Sequence, residues 1–485
     1  MKGVFALSAR FASCAFLGGL TLFTATPANA QESWPQFRGP NGSGVSASAN
    51  PPVKIDSDAA LRWKVEVPPG ASSPCVWGDR IFLTAFADGK LWTLAYARDT
   101  GKELWRVQAP AKQIEKYHHS EGSPAASTCV SDGQRVITYF GSCGLLAYDL
   151  NGKPLWNYEL PTAETSFDFG TGTSPILVDG LVVLVRDVKN GPFAVAVDAA
   201  TGKERWKADR AGSPTAYSTP TVYGKGKDAL LIVPGSLRMK AYELATGKER
   251  WVLRGLPAAN CTLAVVGGDH VFFAGWSPGQ DDFKMPTHDD LLGQMDANKD
   301  GKLQKAETAG TPFEGFFDAN DTDHDGAITK AEWDGNVAFM KQGKNSLMAI
   351  NPAGTGDISE SGVVWKKSKG LPYVPSPIVY DGRVFFIRDG GFASSYDAAT
   401  GKAFYESKRI GTADKYYASP IAAAGYIYLA SLDQGTISVL KANADKPEVV
   451  AERKLEERVS ATPALVGDQL YVRSEKHLYC FAEPK

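Results

Sequence analysis

The residues with the sharpest chemistry are two runs of oxygen-bearing side chains, Asp296, Asn298, Asp300 and Glu307, then Asp321, Asp323, Asp325 and Glu332. In each run the first three stand two residues apart, a glycine (Gly301, Gly326) follows the third, and the glutamate falls at position twelve. Alternate spacing lets three oxygens converge, and the glycine permits the sharp turn. The backbone carbonyl at position seven (Lys302, Ala327) adds an oxygen, and the glutamate closes the shell with both of its own. Such a shell of hard oxygens suits Ca2+. An acidic loop without metal is the plainer alternative, but two complete matches at pairable spacing favour two Ca2+ sites.

The flanks complete a pair of EF-hands. Leu291, Leu292 and Met295 precede the first loop, and Trp333, Val337 and Met340 follow the second. Phe313, Phe316 and Phe317 share helical spacing between the loops, and Thr311-Pro312-Phe313-Glu314 reads as a helix start. Gly310 and Pro312 lie in the short connection, so the helix leaving the first loop must be brief. Apolar position eight (Leu303, Ile328) lets the loops pair. The second loop carries the larger set of carboxylates and lacks the lysine of position seven, so it is expected to bind calcium more tightly.

Two other groups carry chemistry. His118 and His119, near Glu121, read as a general base or metal ligand, or as loop histidines bonded locally, because adjacent side chains diverge. Arg186 and Arg388, each followed by aspartate, read as holders of an anionic ligand or as structural ion pairs.

A repeat sets the elements that position these residues. Thr100-Gly101-Lys102-Glu103-Leu104-Trp105 recurs at Asn151 to Trp156, Thr201 to Trp206, Thr246 to Trp251 and Thr400 to Phe404. Ser-Pro or Thr-Pro dipeptides, ending at Pro74, Pro124, Pro175, Pro220, Pro377, Pro420 and Pro463, open apolar runs. A period of roughly 43 to 51 residues, with four short β-rich runs per unit, marks four-stranded propeller blades. Inner and outer strands both count to eight. The first outer strand, Leu61 to Val67, precedes any inner strand, and the last unit lacks an outer one, so the two should join and close the ring. The expected fold is all-β, an eight-bladed β-propeller of four-stranded antiparallel blades, with a small α-helical EF-hand insertion in blade five. Its long, non-repeating loops, Tyr117 to Glu121, Ser166 to Phe169, Arg186-Asp187, Arg388-Asp389 and Tyr416-Tyr417, share one face with that insertion. Function is expected on that face.

Units such as Ala196 to Trp206 resemble the repeats of the pyrroloquinoline-quinone-like (PQQ-like) propeller family over nearly all of the mature chain. The opening Trp34-Pro35-Gln36-Phe37-Arg38-Gly39-Pro40-Asn41-Gly42-Ser43-Gly44 is similar to that of the family's exported members. The family also holds quinoprotein alcohol dehydrogenases and an outer-membrane assembly scaffold. Resemblance to the dehydrogenases implies pyrroloquinoline quinone in the central channel and a vicinal Cys-Cys disulfide beside it. No two cysteines are adjacent here and their Glu/Asn/Asp calcium set is not matched, so no cofactor residue is carried over. The resemblance and the loops together imply an exported calcium-binding propeller that acts as a binding or scaffold protein for a protein or glycan partner. The alternatives are a PQQ-dependent oxidoreductase, and a polysaccharide lyase or hydrolase using His118, His119 and an arginine.

Lys2 and Arg10, the apolar stretch Phe11 to Phe23 and Ala28-Asn29-Ala30 form the pattern of a cleaved export signal over residues 1–30, which implies a periplasmic or secreted protein. High external calcium then favours constant, structural occupancy of the loops. No later stretch is apolar and long enough to span a bilayer. The expected domains are an N-terminal extension (31–60), the first part of the propeller (61–276), the EF-hand pair (277–345) and the rest of the propeller (346–485). With 52 basic against 54 acidic residues and a net charge of -2, nothing points to nucleic acid or an anionic membrane. Cys75, Cys129, Cys143, Cys261 and Cys480 are odd in number, and Cys129 with Cys143 is the one pair expected.

Overall fold

The computed structural model describes residues 1, 33–213, 216–280, 284–311, 313–411 and 413–483; the expected export signal, beyond its first residue, and Pro312 lie outside the described residues. Eight antiparallel blades of four strands each are present. Blade one runs from inner to outer strand through Cys75–Trp77, Arg80–Ala87, Lys90–Ala97 and Glu103–Gln108. Blade eight has only three strands of its own, and Leu61–Glu66 supplies the fourth, with Trp63 opposite Cys480. The expected closure is therefore found. The middle strands are buried apolar runs, whereas outer strands such as Glu103–Gln108 alternate between half-buried and exposed residues, as a one-sided surface requires.

The Gly-Lys turns join neighbouring blades. Gly101, Gly202 and Gly401 have φ of +69°, +71° and +68°, and a Cβ added there would lie 2.7 Å from Trp63, 2.7 Å from Trp156 and 2.6 Å from Trp365. Each of these rings belongs to the preceding blade. The indole N–H then bonds into the same turn, Trp156 to the Ala199 carbonyl at 3.0 Å and Trp206 to the Leu244 carbonyl at 2.8 Å. Glycine is thus required twice, for its backbone and for the ring that covers it.

The Ser-Pro and Thr-Pro positions have a role of their own. At the head of the inner strands, Ser73, Thr128, Ser174, Thr219, Ser376, Ser419 and Thr462 present hydroxyls, and the backbone N–H of the preceding blade donates to each at 2.9 to 3.0 Å. Thr462 donates to Ser73, which closes the circle. Leu263 of blade five has no hydroxyl and is the single gap. One expectation is corrected here: Pro124 does not open the inner strand of blade two, which is Val130–Ser131, and Thr128 holds the ring position instead.

The stretch after residue 32 is a plug. Ser33–Trp34 adds to the inner edge of blade one, and Pro35 accepts from Ser131 of blade two at 2.9 Å. Gln36 accepts from Leu177 of blade three, and Asn41 exchanges two bonds of 2.7 and 3.0 Å with Val222 of blade four. Arg38 donates to the carbonyls of Pro377 and Pro420, at 2.8 and 3.3 Å, in blades six and seven. Trp34 and Arg38 are fully buried. Burial pulls the Arg38 guanidinium down to about 9, and among the described residues no carboxylate faces it.

All five cysteines among the described residues are free, which corrects the expected Cys129–Cys143 pair. The register Val130↔Ile137 sets Cys129 near the start of the inner strand, while Cys143 lies in the turn beyond Phe140 at the far end of the second strand. Among the described residues, no helix is long and apolar enough to cross a membrane.

Candidate binding cavity and metal loops

The insertion leaves blade five between His270–Gly275 and Ser346–Ile350. It holds helices α1 (His288–Met295), α2 (Lys305–Thr308), α3 (Phe317–Asn320) and α4 (Lys330–Gln342). Capping boxes start α1, through Thr287 and Asp290, and α4, through Thr329 and Glu332. The helix leaving the first loop, α2, has four residues, as the short connection required. Leu303 pairs with Ile328, and Leu291, Leu303, Phe317, Ile328 and Trp333 form a small core.

Both acidic loops have one geometry. Position four is left-handed (Lys299 φ +58°, His324 φ +60°), and so is the glycine at position six (Gly301 φ +80°, Gly326 φ +91°). Asp296 accepts from the Gly301 amide at 3.1 Å and Asp321 from the Gly326 amide at 3.0 Å. Glu307 reaches back to the Asn298 amide, and Glu332 to that of Asp323. Oxygens of Asp321, Asp323 and Asp325 lie within 4.8 Å of one another, a donor set that fits a divalent cation. Burial opposes ionisation of Glu332, yet hydrogen bonds from Thr329 and Thr322 hold its carboxyl down at about 2.

On the face of the long loops a cavity of about 430 Å³ opens at the centre of the ring. Phe37 of the plug is among its lining residues, and so are the ring hydroxyls of Ser73, Thr128, Ser174, Thr219, Ser376, Ser419 and Thr462. Around it stand Phe169, Tyr217, Phe316, Tyr373 and Tyr417 with Glu121, Asp389 and Lys415. The Tyr417 hydroxyl donates to Glu121, and Asp389 accepts from the Tyr416 amide at 2.9 Å. Burial pushes the Asp389 carboxyl up, and burial followed by the Glu121 bond pushes the Tyr417 hydroxyl up.

The histidines diverge. His118 packs against Phe169 and Phe316, with ring centroids at 5.6 and 5.7 Å, while His119 turns to Tyr117 at 4.8 Å. Neither lines the cavity. Arg186 is buried behind the wall and donates to the Pro161 carbonyl at 2.6 Å, and its neighbour Asp187 instead pairs with buried Arg210 at 2.7 Å. Arg388 lies over the Phe392 ring, 4.4 Å from its centroid. Sequence reasoning missed Phe37, Tyr373 and the inward role of the ring hydroxyls. The dipeptides at the strand heads were the available signal.

Comparison with known proteins agrees with this architecture. The family model described as outer membrane protein assembly factor BamB matches residues 41–173, 165–264 and 322–484, and an EF-hand model matches 289–309. Among curated proteins, the serine/threonine-protein kinase AfsK of Streptomyces griseus is 28% identical over 145 residues, and the match spans 17% of the kinase. Among solved structures, BamB from Moraxella catarrhalis superposes with a TM-score of 0.54 at 12% identity, over 87% of this chain and 99% of that one. A europium-containing methanol dehydrogenase superposes at 0.58 and 11% identity, over 93% and 98%. These likenesses show the fold. On the extent of the family match, the chain belongs to the PQQ-like propeller family of outer membrane protein assembly factor BamB, with an EF-hand built into its fifth blade.

Proposed function

We propose that the chain is an exported calcium-binding protein whose central cavity, on the loop-rich face, takes a saccharide unit of a glycan. The lining carries this reading. A sugar has apolar C–H faces and a rim of hydroxyls; six aromatic rings, Phe37 among them, suit the first, and Glu121, Asp389 and a circle of hydroxyls suit the second. Pyrroloquinoline quinone, a tricarboxylate, does not fit, because Lys415 is the one cation among the described lining residues and two carboxylates oppose it. No redox step is derived. Titration calorimetry against neutral and acidic oligosaccharides tests the reading. Glu121→Gln and Tyr373→Ala should each weaken a positive titration about tenfold. Absence of heat with every member would sink it.

The metal loops serve the same protein. Two calcium ions are held by Asp296, Asn298, Asp300, Lys302 and Glu307, and by Asp321, Asp323, Asp325, Ala327 and Glu332, the second set more tightly. Calorimetry of Asp321→Ala against Asp296→Ala should remove the tighter and the weaker event, respectively. The segments are an export signal over 1–30, propeller over 61–276 and 346–485, and the metal module over 277–345. N-terminal sequencing of the exported protein should begin at Gln31.

A further inference from the structure

Three phenylalanines precede the second loop, and they do not share a fate. Phe313 and Phe317 enter the core of the metal module, Phe317 at 1% exposure, whereas Phe316 remains 36% exposed to solvent and lines the propeller's cavity. The reason is local. Glu314–Phe316 is a tight 3-10 turn, and α3 begins only at Phe317, so Phe316 leaves the helical face that carries its neighbours. Its ring meets His118 at 5.7 Å and Phe169 at 6.0 Å, and Phe169 in turn meets Tyr217 at 6.2 Å. A Cβ added to Gly315 would lie 2.1 Å from His118 Nε2, so turn and loop are in close contact.

The other end of this short segment is a metal ligand. α3 is capped at its C-terminus by Asp321, position one of the second loop, whose amide donates to the Phe317 carbonyl at 3.0 Å. Asn320 donates to the Phe316 carbonyl at 2.8 Å and accepts from Asn336 of α4 at 2.8 Å. The six residues Phe316 to Asp321 therefore connect a cavity wall to a cation site, with both ends fixed.

We propose that calcium in the second loop orders the aromatic wall of the central cavity through Phe316, so that metal occupancy and cavity binding are linked. The linkage bears on the site proposed above, but the contact between Phe316, His118 and Phe169 does not require that its ligand be a sugar. Linkage is reciprocal, since whatever packs on Phe316 in the cavity must also tighten the calcium site.

Hydrogen exchange read by mass spectrometry on the full mature chain, with calcium and with chelator, tests this. Two propeller segments report on the wall and contain no metal ligand. They are 117–122, where Gly122 donates to the His118 carbonyl at 2.8 Å, and 165–170, where Gly170 donates to Thr165 Oγ1 at 3.0 Å. Calcium should slow their exchange about fivefold or more, while strands of blade eight that carry none of these contacts, such as 464–473, do not change. Phe316→Ala should remove the effect on both segments while 327–340, within the module, keeps its calcium-dependent protection; Asp321→Asn should remove both. Unchanged exchange at 117–122 and 165–170, or uniform slowing over all eight blades, would overturn the linkage. Failure of every saccharide to bind, with these segments protected by calcium, would instead remove the glycan reading and leave the linkage standing.

Discussion

Gly202→Ala is the most direct test of how the blades hold one another, with Gly180→Ala as its measure. Both glycines are left-handed, at φ +71° and +75°. Alanine in that region costs about 1–2 kcal/mol, and stiffening the unfolded chain returns about 0.4–1. Nothing lies within 4 Å of a Cβ at Gly180, so its replacement should cost about 1 kcal/mol. At Gly202 the same Cβ would lie 2.7 Å from the Trp156 ring, well inside the ordinary contact range of 3.4–4 Å. Ring or turn must shift, and the Trp156 bond to Ala199 at 3.0 Å resists this. Overpacking of that kind adds about 1–3 kcal/mol, for a total of about 2–4. Urea denaturation of the two variants gives the comparison. Trp156→Leu should then bring the cost of Gly202→Ala down to the Gly180 value, as coupled neighbours require. Equal costs at the two glycines, or a Gly202 penalty untouched by loss of the indole, would refute the argument.

Three further outcomes are expected. Burial raises the Glu115 carboxyl to about 7 despite hydrogen bonds from Thr171. An acid raised in the folded state makes stability fall as pH rises from about 4.5 to 7, so Glu115→Gln should gain on the wild type across that window by up to about 3 kcal/mol in urea titrations at pH 5 and 8. Asp187→Ala leaves buried Arg210 without its partner and should lower unfolding free energy by about 3–5 kcal/mol, the cost of breaking a buried pair. Alkylation in denaturant without reductant, read by intact mass, should label all of Cys75, Cys129, Cys143, Cys261 and Cys480.

The blades and metal loops were legible because each is written locally, a Gly-Lys-aromatic turn in one case and oxygens at alternate positions in the other. What was not legible depends on partners far away in sequence. The plug has no periodicity, and its bonds go mostly to the backbone of six blades, which no motif announces. Phe316 reads as one of three equivalent apolar residues until the 3-10 turn changes its direction. For His118 and His119 the sequence left open a functional pair or side chains that diverge, and the structure shows the second, His118 against Phe169 and His119 against Tyr117. The Cys129–Cys143 pairing failed for a related reason: shared membership of a blade says nothing about position along its strands.

The closing strand Leu61–Glu66 and the plug before it have a consequence for the order of events during synthesis. These residues are made before the blades that hold them: the partner of Trp63 is Cys480, and Arg38 reaches Pro420. Leu61–Glu66 in particular has no partner strand until blade eight is made. The contacts that complete the ring therefore span nearly the full sequence, the slowest kind to form because the intervening loop must be closed before any of them contributes. A chain without His477–Ala482 would carry a closing strand, Leu61–Glu66, without its neighbour. The molecule thus carries its own checkpoint: Leu61–Glu66 locks only when His477–Ala482 has arrived.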